Sequence, residues 1–122
     1  MEVPILKQGE ILIATVQAAL TDSDLLQLRR ALVEKVAQAR ARGIIIDVTA
    51  MDVMDSFASR TMREMAHMIR LRGAETVIVG IQPDVAFAMV QLGLSMVGVM
   101  TALDLEEGLE YLHRSLRGDP SR

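Results

Sequence analysis

The sequence contains no cysteine and no tryptophan, and its aromatic residues are two phenylalanines and one tyrosine. Without cysteine the chain cannot form disulfide bonds or bind zinc through thiolates. So few aromatic side chains leave little surface on which the bases of a nucleic acid could stack. The formal net charge of −3 also differs from the basic surface that nucleic-acid binders usually carry. We therefore expect no nucleic-acid partner.

Long apolar runs are also missing. None reaches the roughly 18 residues that a transmembrane helix needs, and charged residues interrupt the first apolar stretch, unlike in a signal peptide. These observations predict a cytoplasmic protein with no membrane partner. Hydrophobic residues nevertheless make up 51% of the 122 residues, enough to fill the core of one domain. The nine methionines are interpreted mainly as side chains that fill gaps in this core.

Apolar, β-branched runs alternate with stretches in which apolar residues recur at helical spacing. Two runs at 4–6 and 11–16, separated by a turn at Gly9, predict a hairpin with its proline on an edge strand. Further strands are predicted from residue 44 onward and at 76–81 and 96–100. Helices are predicted from about residue 22 to near Gly43, and at about 56–72, 83–92 and 105–116.

This order of elements predicts an α/β fold with a mixed, mostly parallel β-sheet, an N-terminal hairpin and about four α-helices. The domain is expected to span residues 1–117. Residues 118–122 are expected to form a flexible C-terminal tail.

The stretch from Ile44 to Arg60 combines a buried strand, a short acidic loop and the start of a helix. Asp55 and Ser56 are both favourable N-cap residues, so the helix should begin at one of them. A hydroxyl is thereby placed at a helix N-terminus, beside the carboxyl end of a strand, where open α/β sheets commonly carry functional groups. This hydroxyl is a plain cap, a nucleophile or a phosphate acceptor.

Other kinds of site fit the pattern less well. His67 and His113 lie on different predicted helices, and neither has a second histidine at metal-ligand spacing. No glycine-rich nucleotide loop is present, and no G-x-S-x-G elbow surrounds Ser56, which argues against a hydrolase. Asp47, in the third strand, lacks the acidic pair and the lysine that phospho-aspartate receivers normally have. We therefore expect no catalytic residue, no cofactor and no metal ion.

Two features favour a phosphate acceptor over a plain cap at Ser56. Asp55 can itself cap the helix, which would leave the Ser56 hydroxyl facing solvent. Arg60 and Arg63 follow on the same helical face, and a phosphate there would gain the helix dipole and backbone N–H groups. Repulsion from Asp52 and Asp55 would oppose this gain, so the pattern alone leaves both interpretations open.

The string Met54-Asp55-Ser56, after Ile-Ile-Asp, resembles the phosphorylation site of the STAS domain family of anti-sigma-factor antagonists. Phe57-Ala58 replaces the Ser-Gly of the common Asp-Ser-Ser-Gly form, and Asp-Ser-Phe is similar to the short stressosome scaffold proteins of the RsbS type. The resemblance extends over nearly the whole chain. It includes Val3-Pro4-Ile5-Leu6-Lys7, Gly80-Ile81-Gln82-Pro83, Thr101-Ala102-Leu103-Asp104-Leu105-Glu106 and Gly108-Leu109.

The resemblance implies a non-catalytic, phosphorylatable scaffold. Such proteins assemble with RsbR-type STAS paralogues into a large cytoplasmic complex that sequesters an RsbT-type serine/threonine switch kinase. Phosphorylation, at Ser56 by position, releases the kinase, and an RsbX-type phosphatase resets the system. The alternative within the same fold is a free antagonist that binds an anti-sigma-factor kinase.

The resemblance also directs attention to the residues around the acceptor. Ser59, one helical turn beyond Ser56, is the second candidate acceptor. The residues expected to contact the kinase or another partner are Asp52, Asp55, Ser59, Arg60 and Arg63. We further expect the isolated chain to expose an apolar patch, including methionines, that its partners cover.

Overall fold

Strands and helices alternate in the computed structural model of the chain, in which residues 3–118 are described. A hairpin comes first, and every later strand is followed by a helix. The elements are β1 (Ile5–Gln8), β2 (Ile11–Thr15), α1 (Asp22–Ala39), β3 (Gly43–Asp47), α2 (Ser56–Leu71), β4 (Glu75–Val79), α3 (Pro83–Gln91), β5 (Met100–Ala102) and α4 (Leu105–Leu116).

The five strands form one sheet in the order β1-β2-β3-β4-β5. β1 pairs with β2 antiparallel, and the other neighbours pair parallel. The α/β class, the mixed and mostly parallel sheet, the N-terminal hairpin and the four helices are thus confirmed. Among the described residues, no helix combines the length and the apolar character needed to cross a membrane.

Helices cover the two faces of the sheet unequally. Three helices, α1 to α3, pack on one face and bury side chains such as Leu28, Met62 and Val85 against Ile44 and Ile46. The fourth, α4, covers the other face, where its Leu112 is buried against a smaller apolar cluster. Both faces of the central strands are therefore buried, which explains their uninterrupted apolar sequence. Five methionines fill the larger core as predicted: Met51, Met54, Met62, Met65 and Met89.

The approach of α4 to the sheet depends on two glycines. A Cβ built on Gly108 would lie 2.8 Å from Val79 Cγ1, closer than real Cβ atoms come to a neighbour. A Cβ on Gly43 would lie 3.1 Å from Leu112 Cδ1. Glycine at these positions lets the helix backbone pack directly on the strands.

The predicted bounds of α1 and of the last strand were wrong. α1 ends at Ala39, and Arg40 takes the left-handed C-cap conformation at φ 51°, so Gly43 begins β3 instead of closing the helix. β5 is Met100–Ala102 rather than 96–100. The earlier residues are held by other contacts, since the Val99 N–H donates to Met96 O at 3.0 Å.

The predicted C-terminal tail at 118–122 lies outside the described residues except for Gly118. The domain bounds 1–117 therefore stay a prediction.

Candidate functional site

The loop between β3 and α2, residues 48–55, presents acidic side chains to solvent, while two of its methionines are buried beneath them. Met51 and Met54 are 3% and 4% exposed, and they pack with the larger core. The intervening Asp52 and Val53 are exposed, Val53 at 63%. Because the loop is anchored at two buried methionines, its exposed residues hold a defined position relative to α2.

A hydrogen-bond network braces the start of this loop. Asp47 Oδ1 accepts from the Thr49 backbone N–H at 2.9 Å and from the Thr49 hydroxyl at 2.6 Å. Gln82 Nε2, at the N-cap position of α3, donates to the Thr49 carbonyl at 2.6 Å. Gly80 makes room for this arrangement, since a Cβ there would overlap with Thr49 Oγ1, and its φ is +81°. The brace ties the loop before α2 to the turn before α3.

Sequence reasoning assigned no role to Thr49, Gly80 or Gln82. A threonine two residues after an aspartate is a typical side-chain-supported turn, which was the available local signal. The Gln82 contact links residues 33 positions apart, so no local pattern indicates it. Asp47 is part of this brace, because its carboxylate accepts both hydrogen bonds from Thr49.

Asp55 is the N-cap of α2. Its Oδ1 accepts from the Ala58 backbone N–H at 2.8 Å, and its carbonyl accepts from the Ser59 N–H at 2.9 Å. Ser56 is the first residue of the helix and is exposed. Among the described residues, no hydrogen bond engages the Ser56 hydroxyl. The prediction that Asp55 caps the helix and leaves Ser56 facing solvent is confirmed.

Ser59 lies on a different side of α2. It is 3% exposed, and its hydroxyl is buried. A kinase cannot reach this oxygen without local unfolding, and a partner docking on the folded surface cannot contact it. The burial therefore argues against Ser59 as a second acceptor or contact residue, although its spacing from Ser56 suggested both.

Two arginines accompany Ser56 along α2. Arg60 is exposed, and its guanidinium lies 5.7 Å from the centroid of the Phe57 ring, a cation–π distance. Arg63 is half-buried. Neither forms a salt bridge with an acidic side chain among residues 3–118. The site thus combines Asp52 and Asp55 at its loop end with two arginines along the helix.

This arrangement suits the acceptance of a phosphate better than hydrolysis. His67 lies eleven residues along α2 from Ser56, about 16 Å at the helical rise, and His113 lies on α4, which packs on the other face of the sheet. Neither can act as a base for the Ser56 hydroxyl in this fold. The backbone N–H groups of Ser56 and Phe57, in the first helical turn, have no helical partner and can donate to an anion.

Comparison with known proteins identifies the family and the relatives of this fold. The STAS domain model matches residues 2–107. A serine-to-glutamate variant of RsbS from Moorella thermoacetica superposes with a TM-score of 0.80 and 32% identity, over 96% of this chain and 99% of that one. A component of a structure on the molecular architecture of the stressosome, described as a signal integration and transduction hub, gives a TM-score of 0.78 and 32% identity, over 93% of this chain and 99% of that one.

Another relative, found by sequence comparison, matches a smaller part of this chain. The RsbT co-antagonist protein RsbRA of Bacillus subtilis is 29% identical over 79 residues, which are 65% of this chain and 29% of that protein. The chain therefore spans less than a third of that relative's length. Its fold is that of RsbS-like stressosome proteins and anti-sigma-factor antagonists, and the chain belongs to the STAS domain family.

Proposed function

We propose that the chain is a non-catalytic scaffold of a cytoplasmic stressosome, which sequesters an RsbT-type kinase and releases it when Ser56 is phosphorylated. One observation carries this proposal: the Ser56 hydroxyl is exposed and unengaged at the first residue of α2, because Asp55 performs the capping. The 32% identity to the Moorella RsbS protein over nearly the full length supports the same role.

The physical basis is the change in charge at a preorganised surface. A neutral hydroxyl at a helix N-terminus can lie within a tight interface at little cost. A phosphate adds about −1.5 to −2 charges beside the exposed carboxylates of Asp52 and Asp55. Wherever the kinase packs an acidic or apolar surface here, like-charge repulsion and desolvation oppose binding.

Arg60 and Arg63 would determine how strongly phosphorylation of Ser56 weakens kinase binding. Both are without an acidic partner among the described residues, so each is available to a phosphate on Ser56 or to a carboxylate of the kinase. Pairing with the phosphate would reduce the repulsion, whereas pairing with the kinase would be lost on phosphorylation. We propose Asp52, Asp55, Arg60 and Arg63 as the kinase contacts, together with Ser56.

The proposed partners follow from this role. An RsbR-type STAS paralogue would form the large complex with this chain, in keeping with the sequence match to RsbRA. An RsbT-type kinase would bind at the Ser56 surface, and an RsbX-type phosphatase would restore the hydroxyl. The role requires no cofactor, membrane or nucleic acid.

Calorimetric titration with the RsbT-type kinase tests the proposal. The samples are the unmodified chain, the enzymatically phosphorylated chain, Ser56→Ala and the matched control Ser59→Ala. We expect Ser56→Ala to bind like the unmodified chain but to take up no phosphate, and Ser59→Ala to be phosphorylated normally. The phosphorylated chain should bind at least tenfold more weakly, equivalent to about 1.4 kcal/mol. Equal affinities of the two forms, or phosphate uptake by Ser56→Ala, would refute Ser56 as the switch.

Sedimentation with the paralogue distinguishes the scaffold from a free antagonist. A scaffold should form discrete large particles when mixed with the RsbR-type protein in near-physiological buffer. Separate small species, together with a stoichiometric complex with an anti-sigma factor, would instead assign the chain the role of free antagonist.

A further inference from the structure

The exposed apolar side chains do not by themselves identify a partner. They lie on several elements, and Met68 on α2 and Met100 on β5 are among them. A groove of about 520 Å³ between α1 and α2 shows the difficulty, because its lining carries charges of both signs. Its lining includes Leu26, Met68, Arg29, Arg30 and Glu34. Such a surface favours neither an acidic nor a basic partner.

A second depression, of about 460 Å³, differs because all of its charged side chains are basic. It lies where α1 and α2 end and where β3 and β4 begin. Its lining is Val36, Ala37, Arg40, Ala41, Arg42, Leu71, Arg72 and Gly73. We call this depression the arginine groove. Since α2 has 16 residues, the groove lies about 24 Å from Ser56 along that helix.

Two of the three arginines have no partner. Arg40 and Arg72 are exposed, and within residues 3–118 neither forms an ion pair or a side-chain hydrogen bond. Arg42 pairs with Glu10 at 3.6 Å, but both side chains are more than half exposed. Exposed pairs of this kind are weak, so Arg42 too is available to a stronger partner.

The carboxylate at the start of β4 does not neutralise the groove. Glu75 lines the neighbouring depression, beside Arg42. Its two oxygens accept from the Tyr111 hydroxyl at 2.8 Å and from the Ser115 hydroxyl at 2.7 Å. Glu75 therefore holds α4 against the sheet, and the lining of the groove itself contains no acidic side chain.

The ends of the two helices do not fully account for these arginines. A helix C-terminus favours a nearby cation, but Arg70 already supplies one in the last turn of α2, so Arg72 is additional. Arg40 is the one non-glycine residue with positive φ in the part of the chain that the structure describes. Glycine or asparagine usually takes this C-cap position. An unpaired arginine in a strained backbone points to a use for its side chain.

We propose that the arginine groove binds an acidic segment of a partner protein, in which carboxylates lie on both sides of an apolar side chain. The guanidinium fork matches the two oxygens of a carboxylate. Leu71, 87% exposed, lies among the arginines and offers a contact to the apolar side chain. The groove shares no residue with the Ser56 surface, so this proposal stands or fails independently of the kinase switch.

The lining favours an acidic protein segment over other anions. The Arg42 N–H donates to Glu10 O at 2.8 Å and the Gly73 N–H to Arg70 O at 2.9 Å, so these backbone groups are not free to hold a small anion. No aromatic side chain is among the lining residues, which leaves nucleic-acid bases without a stacking surface. Three arginines are also fewer than the about four to eight basic residues typical of anionic-lipid sites.

Titration of the isotope-labelled chain with the peptide acetyl-Glu-Glu-Leu-Glu-Glu-amide, followed by amide chemical shifts, tests the proposal. We expect the shifts to concentrate at residues 40–43 and 71–74 and to shrink as salt is added. The neutral peptide acetyl-Gln-Gln-Leu-Gln-Gln-amide should cause none. The absence of shifts in the groove with the acidic peptide, or equal shifts with the neutral one, would overturn the proposal.

A pair of charge-matched variants tests the arginines themselves. Arg40→Gln/Arg72→Gln should weaken peptide binding by about three- to tenfold, as expected for the loss of two exposed ion pairs. The control, Lys7→Gln/Arg30→Gln, removes the same charge elsewhere. Arg30 precedes Arg40 by ten residues, about 15 Å along α1 and beyond the screening length of about 8 Å, and Lys7 lies on the edge strand β1.

The control should change the affinity by less than about twofold, because separated exposed charges are screened. All four replaced side chains are exposed, so both variants are expected to fold. Equal losses in the two variants would show a general charge effect and overturn the proposal.

Two further probes distinguish the other classes of anion. They are a single-stranded oligothymidylate and vesicles of phosphatidylcholine and phosphatidylserine in equal parts. Both should bind the unmodified chain more weakly than the acidic peptide does. Tighter binding of either probe, lost in Arg40→Gln/Arg72→Gln, would refute the acidic segment and assign the groove to nucleic acid or to a lipid surface.

Discussion

The N-cap of α2 offers a quantitative test of how this chain presents Ser56. In Asp55→Ala the capping hydrogen bond to the Ala58 N–H, 2.8 Å long, is lost. Replacement of a good N-cap by alanine costs about 0.5–2 kcal/mol of folding free energy. Asp55→Asn keeps a capping oxygen and loses only the charge, which costs about 0.3–1 kcal/mol through the helix dipole. The difference between the two variants therefore isolates the capping bond.

The free-energy cost of Asp55→Ala is expected in the lower half of this range, because a second residue can act as the N-cap. Ser56 is as good an N-cap as aspartate and can cap a helix that is one residue shorter. The double variant Asp55→Ala/Ser56→Ala removes both caps. It should lose more stability than the sum of the single variants, by roughly 0.5–1 kcal/mol, as expected for neighbours that replace each other.

Urea denaturation followed by circular dichroism measures these differences, with Asp52→Ala as the control. Asp52 is exposed in the same loop and does not cap the helix, so its replacement should change stability by less than about 0.5 kcal/mol. Equal stabilities of Asp55→Ala and Asp55→Asn would refute the capping argument. Strict additivity of the double variant would show that Ser56 does not replace the missing cap.

Two further substitutions test the packing of α4 and the brace before α2. Gly108→Ala should destabilise the chain, because the new Cβ would lie 2.8 Å from the buried Val79 Cγ1 and overpacking costs about 1–3 kcal/mol. This cost should exceed the gain of about 1 kcal/mol from the higher helix propensity of alanine. A higher thermal midpoint would contradict this prediction. Gln82→Ala removes the donor to the Thr49 carbonyl and should lower the free energy of unfolding by about 0.5–1.5 kcal/mol. It should also speed amide hydrogen exchange in the loop 48–55. Unchanged exchange in this loop would show that the brace does not hold it.

Much of the fold could be predicted because the relevant signals are local. The alternation of β-branched runs with helical spacing located β2, β3, β4 and the helices that follow them. Capping depends on residues within one helical turn, so the local sequence is enough to place Asp55 and Ser56 at the start of α2. The predicted bounds were wrong at the end of α1 and at β5. Gly43 fits a helix C-cap as well as the start of β3, and the apolar residues 96–99 fit a strand as well as the turn that they form.

The sequence by itself therefore determined the order of elements, the composition of the core and the position of Ser56 at a helix start. Only the tertiary structure decided which hydroxyl is accessible, since Ser56 and Ser59 differ in whether α2 turns them toward solvent or toward its neighbours. The same holds for the contact between Gln82 and Thr49, which joins the turn before α3 to the loop before α2. These features depend on residues that are distant along the chain and meet only when the helices pack on the sheet, so no pattern within a few residues encodes them.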